Sequence, residues 1–576
     1  MLKMKKSVQF ALIGILMMLP SASKSQIRLN QVGMYPNQEK TAVIECAVKA
    51  GNIRIVNAET GKKAAKAKVL RVATSPWSKK VRTVVDFSNL TQQGTYLIQC
   101  GKETATFSII KEALTDVTKG TLKAFYLTRS GMPIEAQFAG AYARPTGHPD
   151  TLVYIHPSAA SPGRPAGSTI SSPWGWYDAG DYNKYIVNSA FSVGVMLCSY
   201  EQNKAGYNRL EVNIPESGNK TADVLDELMY NLRWMLTMQD PYDGGVYHKL
   251  TTPNFEGFVM PTDCHQPRYV VQKSTAATLD FAAVMAQAAR IYKGNADYPC
   301  FSAKAAEAAL AAYGWAVRNP KVLYQQNRMN EQFQPAVYTG EYGDGGLSDE
   351  WFWAATELYL LTGDQLFADL AARYEPKQFS APNWGYVYAL GAYDWMTLKP
   401  ESQLAAVSRE QLFNYCDSLV AFTAKSSFQT PAGNKPSDFG WGCLAEAFCT
   451  NGLNLLYAYR LSGDQKYFAG ALQNAEYMLG RNALGLCYVT GFGTKSPQHP
   501  HHRISEADAV AGPYPGLLVG GPNPGQQDIN DVKKYDSSWP DESYADVMQS
   551  YASNEIAINW NASLLALLGW IVSAEQ

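Results

Sequence analysis

The stretch Trp174-Gly-Trp-Tyr-Asp178-Ala-Gly-Asp181-Tyr-Asn-Lys-Tyr185 sets two carboxylates three residues apart among several aromatics. Close carboxylates can share one water, one aligning it and the other taking its proton. The same spacing also describes an Asp at a helix start beside an Asp in a turn. Spacing alone leaves both readings open.

A second region spans 485–555. It holds His499-Pro-His501-His502-Arg503, with three of the chain's seven His, then Tyr544-Ala-Asp546 and Tyr551-Ala-Ser-Asn-Glu555. Glu555 follows a cap-like Ser553-Asn554 and opens an apolar helical run. A carboxyl facing a partly apolar cleft can keep its proton and serve as an acid. A first-turn Glu can equally serve the helix dipole. The His cluster has no HExxH frame, and Pro500 separates His499 from the others. It reads better as hydrogen bonding to a neutral, hydroxyl-rich ligand than as a metal site.

These loops need elements to position them. Residues 26–112 read as β: Thr41–Glu45, Asn52–Val56, Val81–Phe87 and Thr95–Gln99 are rich in β-branched and aromatic residues, with Gly-containing turns between. Short strands at this spacing suggest a small sandwich. From about 113 the apolar period becomes helical, as in 221–238, where Leu225, Leu228, Met229, Leu232, Met235 and Leu236 share a stripe. Eleven further segments can be marked near 116–130, 185–201, 274–293, 301–317, 349–363, 365–373, 385–395, 402–426, 445–462, 466–479 and 556–573, which makes twelve helices in all. Long loops at 134–176, 240–272, 319–348 and 484–552 are where function is expected to sit.

The chain has 576 residues, 46% hydrophobic and 18% charged, enough for a large core and too little charge for disorder. Lys plus Arg is 50 and Asp plus Glu is 51, with no basic stripe, so nucleic acid is not an expected partner. Residues 1–25 read as a secretory signal: Lys3, Lys5 and Lys6, an apolar run Phe10–Leu19, and small residues Ser23 and Ser25 before the cut. Ten apolar residues are too few to span a bilayer. An exported protein beginning near Gln26 is expected. Nine Cys is not a disulfide scaffold, and no C-x-x-C pair signals zinc. Cys198, Cys443 and Cys449 read as buried thiols. A Cys46–Cys100 bridge is left open.

With these motifs in order, the sequence resembles glycoside hydrolase family 9, the cellulase family with an N-terminal immunoglobulin-like domain. Trp176-Tyr-Asp178-Ala-Gly-Asp181-Tyr-Asn-Lys-Tyr185 matches its aspartate loop. Tyr488 to Arg503 matches its histidine signature, with Cys487 where Ser or Thr is usual. Tyr544-x-Asp546, Tyr551 and Glu555-x-Ala match its acid signature. Milder matches are Met238–Lys249 and Thr339-Gly-Glu-Tyr-Gly-Asp followed by Asp349-Glu350.

The resemblance implies a signal at 1–25, an immunoglobulin-like sandwich at 26–112 and an all-α (α/α)6-barrel catalytic domain at 113–576. It implies hydrolysis of β-1,4-glucosidic bonds with inversion, with no cofactor in the chemistry. Asp181 would be the general base, Asp178 the second holder of the water, and Glu555 the general acid. Inversion leaves roughly 6.5–9.5 Å between acid and base. His501 and Arg503 would contact the sugar, and Asp546 would support the site. Trp174, Trp176, His248, Trp351, Trp353, Trp384 and Trp441 are candidate cleft lining, with His248 and Trp441 foremost. Asp349 and Glu350, near Gly345-Gly346 carbonyls, could hold calcium or simply start a helix. A zinc site of some relatives is expected to be absent, since Ser130 and Gly147 stand where thiols would, beside His148. The β-domain is expected to pack on the barrel.

The expected activity is an endo-β-1,4-glucanase, on cellulose-type, xyloglucan or mixed-linkage glucan, as an exported monomer. The alternatives are an exo-acting β-glucosidase, cellobiohydrolase or exo-β-glucosaminidase on the same fold, or a glycan-binding protein without turnover.

Overall fold

A computed structural model describes residues 26–575. The proposed signal at 1–25 lies outside the described residues. Eight strands come first: β1 (Ile27–Arg28), β2 (Thr41–Ile44), β3 (Ile53–Asn57), β4 (Lys63–Ala65), β5 (Lys68–Thr74), β6 (Val81–Asp86), β7 (Gly94–Cys100) and β8 (Glu103–Ile109). They form two antiparallel four-stranded sheets, ordered β1-β2-β6-β5 and β4-β3-β7-β8. Alternation decides which side is buried. Along β7, Tyr96, Ile98 and Cys100 point inward, and the β7–β8 register sets Tyr96 opposite Phe107, their rings 5.7 Å apart. With Ile44, Val85, Phe87 and Ile109 they fill the space between the sheets. All nine cysteines are free thiols, so Cys46 and Cys100 are not bridged.

Twelve helices of nine or more residues follow among the described residues: α1 (Thr115–Thr128), α2 (Ile186–Gln202), α3 (Asp223–Thr237), α4 (Thr275–Ile291), α5 (Phe301–Arg318), α6 (Ser348–Thr362), α7 (Gln365–Arg373), α8 (Tyr388–Leu398), α9 (Gln403–Thr423), α10 (Asn451–Ser462), α11 (Gln465–Met478) and α12 (Ile558–Ala574). They fall into two classes. In α2, α4 and α12, fifteen consecutive residues are buried in each. A helix apolar all round belongs inside. The helices α6, α8 and α10 are also buried over most of their length, whereas α5 and α9 bury one stripe and expose the rest. The inward helices pack on one another, α12 on α2, α2 on α4, α4 on α6 and α6 on α8. Between α8 and α10, Tyr393 and Tyr457 stack at 3.7 Å.

The turns into α7 and α11 share one device. Gly363 and Gly463 end the preceding helices with φ near +73° and +72°, a conformation that suits glycine. The next residue, Asp364 or Asp464, caps the new helix by accepting from the N–H two residues on. No helix of the described residues is long and apolar enough to cross a membrane.

The loops are not structureless. Five short strands, β9 (Val153–Ile155), β10 (Thr169–Ile170), β11 (Lys184–Tyr185), β12 (Lys249–Thr251) and β13 (Tyr269–Val270), make a sheet in the order β10-β9-β13-β12-β11. This sheet ties the 134–176 and 240–272 loops to the aspartate segment.

The sandwich is built into the helical part. Tyr35, Val43 and Val84 belong to the same apolar cluster as the helices. The Gln31 N–H donates to the Leu479 carbonyl at 2.9 Å. The Arg82 guanidinium, on β6, is fully buried over the Phe428 ring. It donates to Ser427 and to Asp541 at 3.3 Å, with Glu542 at 3.6 Å. Asp541 and Glu542 start the segment that leads to Glu555. Replacing Arg82 by Met leaves buried Asp541 without its cation, while Glu542 keeps Lys80 at 2.7 Å. Losing one partner of a buried pair costs about 3–5 kcal/mol, so calorimetry should show the unfolding temperature lowered by several degrees. An unchanged temperature would show that this contact does not hold the two parts together.

Candidate active site

Three distant segments are stitched by their backbones. The Ile558 N–H donates to the Asp178 carbonyl at 2.8 Å, and the Arg503 N–H to the Gly180 carbonyl at 3.1 Å. The His501 N–H donates to Asn554, and His501 pairs as a bridge with Glu555. A side chain at Gly180 would start 2.2 Å from the His501 carbonyl, so only glycine allows this approach. The Gly180 N–H then reaches Glu555 Oε1 at 3.3 Å. The aspartate segment and Glu555 thereby face one cavity of about 540 Å³. Asp178, Asp181, Glu555, Tyr342, Trp384 and Trp441 are on its walls, with Tyr185, Phe255, Glu341, Asn559 and Trp560.

Each carboxyl has its own set of partners. Asp178 accepts from Asn188 Nδ2 and from the Tyr342 hydroxyl, both at 2.7 Å. Burial and the charge of Asp181 push its pKa upward, against those two donors. Asp181 accepts at Oδ2 from Asn183 Nδ2 at 2.5 Å, the Asn183 N–H at 3.4 Å and the Tyr185 hydroxyl at 3.1 Å. All three reach the same oxygen, so Oδ1 remains as an acceptor. Asn183 is fixed in turn by the Thr252 N–H and the Thr251 hydroxyl on β12. Glu555 is pushed up to about 8, first by burial and then by Asp181, while Arg503 and the Gly180 N–H pull it down. A carboxyl held that high keeps its proton at neutral pH and can give it away.

His501 hydrogen-bonds through Nδ1 with the Met548 carbonyl at 2.6 Å. Burial brings its pKa down to about 4. The ring is therefore neutral, with the proton on Nδ1 and Nε2 an acceptor. Arg503 donates from Nη1 to Gly180 and from Nε to the Glu256 carbonyl, and its guanidinium lies over the Phe255 and Phe258 rings. Asp546 accepts from the N–H groups of Gln498 and His499 and from Asn554 Nδ2, which pins the histidine segment to the one before Glu555. His502 is packed away, bonded with Ser505, and His499 is exposed beside Glu506.

His248 corrects the expectation of cleft lining. It is fully buried, stacked on Tyr324 at 4.0 Å, with Nδ1 against the Ser274 hydroxyl and Nε2 against the Glu341 carbonyl. It braces the 339–342 loop rather than a ligand. Trp176, Trp351 and Trp353 are likewise buried, and exposed Trp174 is not on the cavity wall. Trp384 and half-exposed Trp441 do line it.

Sequence patterns left Tyr342 and Lys249 without roles, although both lie in quoted motifs. Lys249 is fully buried, and its ammonium donates to Gln326 and the Gly340 carbonyl at 2.6 Å and to Thr339 at 2.9 Å. It has no ion-pair partner among the described residues. Burial lowers its pKa to about 7, with Asp181 the foremost charge opposing that fall. It anchors the loop that brings Tyr342 to Asp178.

The donors do not complete a calcium site at Asp349 and Glu350. Asp349 Oδ2 already accepts from the Val387 N–H, and no group of three His, Cys, Asp or Glu among the described residues could hold a metal. Both Glu350 oxygens and both oxygens of nearby Asp280 are buried without donors, and burial drives both carboxyls well up. At the position of the zinc expectation, Ser130 donates to the Trp174 carbonyl, and His148 Nδ1 bonds with the Tyr177 hydroxyl.

A family model described as glycosyl hydrolase family 9 matches residues 115–568, and one described as a cellulase N-terminal ig-like domain matches 22–105. A xyloglucan-specific endo-β-1,4-glucanase of Bacteroides ovatus is 51% identical over 97% of both chains. Endoglucanase D of Acetivibrio thermocellus is 33% identical over 95% of this chain and 83% of its own length. A solved Bacteroides ovatus structure superposes with a TM-score of 0.91 at 49% identity, covering 96% of this chain and 99% of that one.

Arg503 is the cation that opposes the rise of Glu555. Arg503→Gln should therefore move the Glu555 titration above about 8. Infrared titration of the carboxyl C=O band, with Glu555→Gln as reference, reads it. A titration that stays or moves down would show that Arg503 does not set this proton.

Proposed function

The chain belongs to glycosyl hydrolase family 9 and is a glycoside hydrolase, an endo-β-1,4-glucanase, and we propose that it cleaves with inversion, Glu555 serving as acid and Asp181 as base. The observation that carries the proposal is the set of three carboxyls on one cavity, with Glu555 held up to about 8. A glucan whose scissile oxygen meets Glu555 would otherwise lose an alkoxide. The Glu555 proton goes to that oxygen as the bond to the anomeric carbon breaks. Across the gap, Asp181 Oδ1 takes the proton of a water that attacks the same carbon from the opposite face. Asp178, braced by Asn188 and Tyr342, aligns that water.

His501, through Nε2, accepts a sugar hydroxyl, and Arg503 donates to one. Trp441, Trp384 and Phe255 offer flat apolar faces to the pyranose rings. No cofactor enters the chemistry. We read the twelve helices as an (α/α)6 barrel. Support comes from the alternation of fully buried and one-sided helices and from the matching structures.

Glu555→Gln and Asp181→Asn should each lower kcat on an unactivated glucan about 10²–10⁴-fold with an unchanged circular-dichroism spectrum. Since Glu555 must hold its proton, wild-type kcat/KM should fall as pH rises through about 8. A Glu555→Gln enzyme with near-full rate would end the assignment.

We further propose xyloglucan as the preferred polymer, supported by the relative that is 51% identical and named for that specificity. Ranking kcat/KM on xyloglucan, mixed-linkage glucan and carboxymethyl-cellulose checks it. Xyloglucan should lead; a higher value on an unbranched glucan would overturn the choice.

A further inference from the structure

A second pocket of about 180 Å³ opens beside the catalytic cavity. The two share Trp384, Trp441, Asn559 and Trp560 as a common wall. Its remaining polar lining comes from Asn383, Glu446, Thr450 and Ser563. Neither Lys nor Arg lines it.

The backbone there is unusual. Leu444–Thr450 is a π-helical turn that runs directly into α10. Such turns are rare and concentrate at functional sites. In this one, Leu444, Ala445, Ala447, Phe448, Cys449 and Thr450 are all buried, and Glu446 alone is exposed. Just before it, Gly442 has φ +68°, and a side chain there would start 2.5 Å from the Trp560 indole nitrogen. The chain is thus bent closely around Trp560, with Trp441 on one side of the bend and Glu446 on the other.

Glu446 forms no ion pair among the described residues. The Asn383 amide is its neighbouring donor. The hydroxyls of Thr450 and Ser563 are turned back onto the carbonyls of Glu446 and Asn559. Glu446 supplies the one carboxyl among the residues that line this pocket. A carboxylate can accept from two adjacent hydroxyls at once. Indole faces suit the C–H faces of a pyranose.

A glucan backbone that meets Glu555 and Asp181 must pass Trp384 and Trp441. A substituent pointing sideways from it at that point enters the second pocket. We propose that this pocket binds an uncharged pyranose branch of the glucan backbone, and that Glu446 selects for it. This rests on the branched-glucan reading above and deepens it.

The test compares kcat/KM on a xyloglucan oligosaccharide and on an unbranched cello-oligosaccharide of equal backbone length. Wild type, Glu446→Gln, Glu446→Ala and Thr450→Val are measured. Hydrogen bonds to charged groups are worth about 1.5–3 kcal/mol. Glu446→Ala should therefore lower the branched-to-unbranched ratio about 10- to 100-fold, and Glu446→Gln by less. Thr450→Val, which leaves the carboxyl in place, should keep the ratio. An equal loss on both substrates would make the pocket a backbone subsite and overturn the proposal. An unchanged ratio would overturn it too, with the substrate reading intact. A wild type that leaves the branched oligosaccharide uncut would instead remove the substrate reading, and the proposal with it.

Discussion

Three carboxyls face one cavity, where burial and the charge of Asp181 disfavour ionisation of Asp178 and Glu555. The rest of the site can be understood as the management of that repulsion. Glu555 responds by holding its proton, the state a donor needs. Asp178 is raised as well, but is restrained by Asn188 and Tyr342. Asp181 is given three donors on one oxygen and keeps the other as an acceptor. Residues of one chemical type thus take different tasks because their neighbours differ.

Keeping them together is a backbone problem. The stitches among 178–180, 501–503 and 554–558 fix the carboxyls' relative positions, and Gly180 makes the approach sterically feasible. The small sheet β10-β9-β13-β12-β11 then carries the second layer. From β12 come Lys249, which anchors the Tyr342 loop, and Thr251, which fixes Asn183. From β11 comes Tyr185. The sandwich extends the same support outward, since Arg82 holds the Asp541-Glu542 start of the acid segment. A domain that lines none of the cavity thereby bears on its geometry.

Much of this was legible in the residues, for identifiable reasons. The twelve helical segments were readable because burying a stripe or a whole helix leaves a 3.6-residue period over ten or more positions. The strands β2, β3, β6 and β7 were readable from β-branched runs. The sheet in the loops was not, because strands of two or three residues leave no period. Edge strand β5 was missed too: its alternation is diluted by Lys and Arg, and one face meets solvent. Spacing could present Asp178 and Asp181 as a pair, but not that Asn188, ten residues on along α2, and Tyr342 hold the first of them. His248 shows the opposite limit. A histidine between a glycine-rich turn and a lysine looks available to a ligand, and only the packing of Tyr324 and the Glu341 carbonyl reveals it as a brace.

The central claim is that water, activated at Asp181, attacks the anomeric carbon from the face opposite the leaving oxygen protonated by Glu555. Stereochemistry reports this directly. Proton NMR of a glucan oligosaccharide digest, recorded within the first minutes, distinguishes the anomers of the new reducing end before they equilibrate. Single displacement at a β-linkage predicts that the α-anomer accumulates first and then relaxes toward the equilibrium mixture. The β-anomer appearing first would mean retention through a covalent intermediate, and would contradict the division of roles between Glu555 and Asp181.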